Sequence, residues 1–91
     1  MKYSVIKFGA GWCGPCRALE MRLKDFNKCD ITRYDVDNVD DDLLIKYQIR
    51  GVPATFLLDE NGKVIQRWNG IFDVKALENK IDELENEQKG S

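Results

Sequence analysis

Cys13 and Cys16, separated by two residues, sit in the string Trp12-Cys13-Gly14-Pro15-Cys16 shortly after the apolar run Val5-Ile6-Lys7-Phe8. At a strand-to-helix junction, such a pair can close a small disulfide ring and reopen it by thiol–disulfide exchange. A helix beginning near Gly14 leaves the Cys13 thiol beside unpaired backbone N–H groups and the positive end of the helix dipole. Those groups favour the thiolate, which is the nucleophilic form. Two intervening residues bring both sulfurs within about one helical turn, so Cys16 is placed to attack a mixed disulfide on Cys13 intramolecularly. Pro15 falls in the first turn, where its missing N–H costs nothing, and it stiffens the turn together with Gly14.

A two-residue cysteine spacing is also half of a zinc site, but structural zinc takes four Cys or His ligands. The chain has no histidine and one further cysteine, Cys29, so that ligand set falls short and no metal is expected. Cys29 reads as a structural thiol. With 91 residues the chain is read as one domain, residues 1–91, with a polar tail expected to fray from about residue 86. Its composition, 43% hydrophobic and 33% charged with a net charge of −2, fits a globular protein and gives no basic footprint for nucleic acid. No stretch approaches the roughly 20 apolar residues that span a bilayer. Met1 to Ser4 run straight into a strand-like segment without an export signal, so the expected location is cytoplasmic.

The elements that must hold the cysteines follow from periodicity. Tyr3 to Phe8 is rich in strand formers, and Gly9-Ala10-Gly11 links it to the motif. Leu19, Leu23 and Phe26 recur at four and three, predicting a helix from Gly14 or Pro15 to about Asn27. Asp30 to Val36 alternates as a second strand, parallel to the first because a helix connects them. Asp40 caps a short helix with Leu43, Leu44 and Tyr47 inward. Gly51-Val52-Pro53 breaks it before a strand from Ala54 to Leu58. Asp59-Glu60-Asn61-Gly62 is a hairpin turn with Asn-Gly suited to positive φ, and Lys63 to Trp68 returns antiparallel. Asp73 caps a last amphipathic helix carrying Val74, Leu77, Ile81 and Leu84. The expected fold is α/β, in the order β-α-β-α-β-β-α: one four-stranded mixed sheet with helices on both faces.

Trp12-Cys13-Gly14-Pro15-Cys16, Gly51-Val52-Pro53, the Asn61-Gly62 hairpin and Gly70 together make the chain resemble the thioredoxin family over nearly its whole length. The resemblance implies that Cys13 is an exposed nucleophile and Cys16 a buried resolving thiol. It also implies a cis Pro53, whose loop lets the Val52 backbone pair with a substrate strand, and a docking surface bordered by Trp12 and Gly70. By the same resemblance the partners are disulfide-containing proteins and a thioredoxin reductase as electron donor. No cofactor is bound beyond the redox-active Cys13–Cys16 disulfide, and a monomer is expected.

Three departures stand out. Thioredoxins usually carry a further strand and helix before the segment matched here by Tyr3 to Phe8, which is why four strands are expected, close to the minimal glutaredoxin-like form. Six residues before Cys13, where the family commonly buries an aspartate, this chain has Lys7, and Arg33 stands where a partner lysine is common. Two cations so placed require a route to water or a carboxylate such as Asp35 or Glu20. Lys7 is then a candidate for tuning the cysteine pair, by favouring thiolate or by moving a proton. Gly9 replaces a large aromatic, which opens the floor of the site. The leading reading is a protein-disulfide reductase. Its rivals are a glutathione-linked, glutaredoxin-like enzyme with Lys7 as a carboxylate contact, and a redox-silent binding module using the Trp12–Pro53 surface.

Overall fold

Val5, Ile6 and Phe8 point apolar side chains to both faces of one short strand, which requires cover on each side. The computed structural model, which describes residues 2–89, supplies that cover. Its elements are β1 (Ser4–Gly9), α1 (Gly14–Arg22), β2 (Ile31–Asp35), α2 (Asp41–Lys46), β3 (Ala54–Leu58), β4 (Val64–Asn69) and α3 (Val74–Lys89). They form a four-stranded sheet in the order β2-β1-β3-β4. β1 runs parallel to β2 and antiparallel to β3, and β4 is antiparallel to β3. This is the expected mixed sheet.

Strand parity divides the core. Tyr3, Val5 and Leu57 meet Leu19 and Leu23 from the α1 segment and Leu77 and Ile81 of α3 on one face. Ile6, Phe8, Ala54, Phe56 and Leu58 meet Leu43, Leu44 and Tyr47 of the α2 segment on the other. The second face is largely aromatic: the Phe8 ring lies 5.2 Å from Tyr34, 5.6 Å from Tyr47 and 5.9 Å from Phe56. Truncating a fully buried residue such as Leu19 or Leu77 to alanine costs about 2–5 kcal/mol. Lys7 shares the parity of Val5, so it faces α1 with its register partners Arg33 on β2 and Thr55 on β3.

Several boundaries differ from the periodicity. α1 ends at Arg22 rather than near Asn27. The Lys24 N–H bonds to Met21 and the Phe26 N–H to Leu23, so tight i−3 turns carry Phe26 to the core instead of a continuous helix. Asp40 is the N-cap of α2 but makes no side-chain capping bond, whereas Asp73 does cap α3 by accepting from the Lys75 N–H at 3.0 Å. In the hairpin only Gly62 has positive φ, +81°. Asp59 Oδ1 accepts from the Asn61 and Lys63 N–H groups, so a side chain, not a left-handed Asn61, makes the turn. A bulge beside Leu57 and Leu58 absorbs the extra residue. α3 remains helical to Lys89, through residues 86–89 that were expected to fray, while residues 90–91 lie outside the described residues.

Candidate functional site

The site gathers where β1 and β2 end and β3 begins. Gly9-Ala10-Gly11 turns the chain out of β1, with the Cys13 N–H bonded to the Ala10 carbonyl at 3.2 Å. Cys13 then takes extended φ/ψ of −93° and 109° as the N-cap of α1, and its Sγ accepts from the Cys16 N–H at 3.1 Å. A sulfur so placed occupies the position of a capping oxygen, against an N–H that no helical carbonyl satisfies. Pro15 lies in the first turn, as expected. Cys13 and Cys16 are joined as a disulfide, their Cα atoms 5.2 Å apart.

Both cysteines are buried, each 4% exposed. The expectation of an exposed Cys13 is therefore corrected: the loop of Val52 covers it, with the Val52 carbonyl 3.7 Å from Cys13 Sγ. In the dithiol that carbonyl is an acceptor for the Cys13 S–H. The Val52–Pro53 peptide is cis, as the resemblance implied. The Pro53 carbonyl accepts from the Gly70 N–H at 2.8 Å, and Gly70 has φ of +78°, a conformation that favours glycine. Gly14 and Pro15 thus lie within the disulfide ring, Val52 lies against Cys13, and Gly70 is tied to the same loop through Pro53.

Trp12 is 69% exposed beside this group. Its Nε1–H donates to Asp37 Oδ2 at 3.0 Å, and Asp37 is held in turn by its N–H to Asp35 Oδ1 at 2.9 Å. Nothing in the residue pattern around Asp37 singled it out as part of the site. The available signal was position, because a loop leaving the end of β2 emerges at the same edge of the sheet as the loop leaving β1.

Lys7 is buried, 4% exposed, yet it has a partner: its Nζ lies 2.7 Å from Glu20 Oε2. The same carboxylate oxygen accepts from Arg33 Nε at 2.8 Å. One residue of α1 therefore answers both cations. The Arg33 hydrogen bond holds the Glu20 carboxyl below its ordinary range; burial opposes this and Lys7 adds to it. Lys7 Nζ and Cys16 Sγ both lie within 3.6 Å of the point where a Gly9 Cβ would stand, which places them no more than about 7 Å apart. With no Gly9 side chain there, a cleft of about 560 Å³ runs past Cys16, floored by Lys7 and Gly9 and flanked by Met21 and Tyr34. Thr55, the register partner of Lys7, is fully buried, and its hydroxyl has no hydrogen-bond partner. Periodicity gave no sign of that orphan group.

Cys29 lies apart from the site in the α1/α3 core, where burial, aided by Asp30 and Glu85, pushes its thiol up to about 11. Such a thiol is inert at neutral pH. Among the described residues no group of three or more His, Cys, Asp or Glu is placed to hold a metal ion.

Comparison with known proteins gives the same picture. The family model described as Thioredoxin matches residues 1–83. Mitochondrial thioredoxin of Mus musculus is 39% identical over 79 residues, covering 81% of this chain and 46% of that protein. Thioredoxin H2 of Arabidopsis thaliana is 36% identical over 87 residues, covering 91% of this chain and 63% of that protein. The chain thus spans about half to two thirds of the length of these relatives. Among solved structures, a mutant thioredoxin from Halobacterium salinarum superposes with a TM-score of 0.77 at 30% identity, over 90% of this chain and 74% of that one.

Proposed function

The chain belongs to the thioredoxin family, and from that premise we propose that it reduces protein disulfides through Cys13 and Cys16. The observation that carries this reading is the Cys13 sulfur at the N-cap of α1, facing the Cys16 N–H and already bonded to Cys16. In the dithiol, the thiolate of Cys13 attacks one sulfur of a substrate disulfide. A Cys13–substrate disulfide forms, the substrate S–S bond breaks, and the departing thiolate takes up a proton. Cys16, deprotonated, then attacks Cys13 Sγ, closing the intramolecular disulfide and expelling the second substrate thiolate. Two electrons pass to the substrate, and an external dithiol must restore the pair; a thioredoxin reductase is the donor the family suggests.

The surrounding groups suit these steps. The Cys16 N–H stabilises charge on Cys13 Sγ, and the Val52 carbonyl discourages it, so the two set the poise of the nucleophile between them. Lys7 contributes a buried cation on the Cys16 side, partly answered by Glu20. Trp12, Gly14, Pro15, Val52, Pro53 and Gly70 form the rim on which a protein substrate docks. A reducing compartment such as the cytoplasm suits the reductive direction. No helix among the described residues is long and apolar enough to cross a membrane.

A glutathione-linked mechanism loses the residue on which it rested, because Lys7 is buried and engaged with Glu20 rather than free to hold a ligand carboxylate. Reduction of insulin disulfides with dithiothreitol as donor tests the proposal. Wild-type protein accelerates the reaction, and a variant with both cysteines changed to serine does not. Equal rates for the two would leave a binding module as the better account.

A further inference from the structure

Arg67 on β4 reaches across to the end of α2, an association that neither the cysteine motif nor the periodicity suggested. Tyr47 closes α2, and Gln48 follows in the left-handed conformation, φ +51°, where glycine is the usual residue. The Gln48 N–H bonds to the Ile45 carbonyl at 3.0 Å and the Ile49 N–H to Leu44 at 2.9 Å, the paired bonds of a Schellman reversal. That leaves the carbonyls of Tyr47 and Gln48 pointing out of the helix end. Arg67 takes both: Nη1 donates to Tyr47 O at 2.8 Å and Nη2 to Gln48 O at 3.0 Å.

The same guanidinium donates from Nε to Asn69 Oδ1 at 2.8 Å and lies 4.9 Å from the centroid of the Phe56 ring. Three bonds and a ring face leave a planar fork one orientation. Its partners bracket the loop that carries Val52 and Pro53. Gln48 lies at the start of that loop. Asn69 faces Ala54 across the β3–β4 ladder and precedes Gly70, whose N–H holds the Pro53 carbonyl.

We propose that Arg67 is a positioning residue for substrate binding. By fixing residues 48–52 between α2 and the end of β4, it presents the Val52 backbone to an extended substrate strand. This role rests on the disulfide-reductase reading. Arg67 makes no bond to the disulfide, so it acts on the docking of a polypeptide and not on the exchange reaction at Cys13.

Steady-state kinetics with two substrates separate the effects. Insulin offers a peptide backbone to the loop, whereas the small aromatic disulfide DTNB offers none. Arg67→Met keeps an unbranched side chain next to Phe56 and removes every side-chain donor. It is expected to raise the KM for insulin by about tenfold with kcat within about twofold, and to leave the DTNB rate within about twofold. Arg67→Lys, which can reach one carbonyl but not the full set, is expected to recover part of the loss. Amide hydrogen exchange at Gly51 and Val52 should quicken by about tenfold in Arg67→Met, while Val5 and Leu57 keep their protection. An unchanged insulin KM with unchanged loop exchange overturns the proposal, as does an equal slowing of both substrates. If wild-type protein reduces neither substrate, the reductase reading falls, and the exchange comparison alone decides whether Arg67 positions the loop.

Discussion

Lys7 Nζ on β1 lies 2.7 Å from Glu20 Oε2 on α1, so the charge buried beneath the cysteine pair is a cation answered from the helix. Arg33 shares the same oxygen from the neighbouring strand. One carboxylate between two cations leaves a net positive group close to Cys16. The structure thereby meets the need for a carboxylate that follows from the Lys7–Arg33 pairing in the sequence.

Removing the two partners has unequal consequences. Glu20→Gln leaves a buried ammonium without its carboxylate and is expected to destabilise the protein by about 2–3 kcal/mol. Lys7→Met leaves Glu20 paired to the exposed Arg33 and costs about 1 kcal/mol or less. The double variant should recover most of the Glu20→Gln loss. Urea unfolding at pH 7 measures all three, and equal losses for the two single variants would contradict the arrangement.

The triad also sets the direction of one pH effect. Glu20 is held below its ordinary range, first by the Arg33 hydrogen bond, so the folded protein binds fewer protons there than the unfolded chain. Its contribution is fully present above the unfolded carboxyl value, about 4.3, and is lost as pH falls through the lower folded value. Urea midpoints from pH 7 to 3 should therefore fall less steeply for Glu20→Gln than for wild type. Parallel acid limbs would show that Glu20 titrates alike in both states.

Much of this arrangement was legible from residue order. β1 and β3 carried apolar runs that only a sheet covered on both faces explains, and Asn-Gly placed the hairpin. The cysteine string and Gly51-Val52-Pro53 placed the site. What stayed hidden depends on partners distant in sequence. The burial of Cys13 comes from Val52, 39 residues on, and the anchoring of Trp12 comes from Asp37, 25 residues on. The shorter α1 had a local cause instead, because tight turns satisfy the same three- and four-residue spacing as a helix.

Thr55 offers a test of the buried environment itself. Its hydroxyl is fully buried without a partner, a situation that costs roughly 1–3 kcal/mol. Thr55→Val keeps the shape and removes the polar atom, so it is expected to stabilise the protein by about 1 kcal/mol, or about 4–8 °C in Tm. A drop in Tm would mean that the hydroxyl is satisfied in solution, for example by a bound water between it and a neighbouring group.

Gly9 stands beside Cys16 and lines the cleft that runs past it. Its ideal Cβ would stand 3.5 Å from Cys16 Sγ, an ordinary contact, so Gly9→Ala should change stability by no more than about 0.5 kcal/mol. Gly9→Phe fills the cleft. In a Cys13→Ser background it is expected to slow alkylation of Cys16 by a small reagent by roughly tenfold. An unchanged rate would show that reagents reach Cys16 by another route.

The division of labour between the two sulfurs is tested most directly by mass spectrometry of Cys16→Ser protein mixed with an oxidised protein substrate. A stable one-to-one adduct through Cys13 is expected, which a reductant releases and the further change Cys13→Ser abolishes. An adduct that survives loss of Cys13, or the absence of any adduct, would contradict that division.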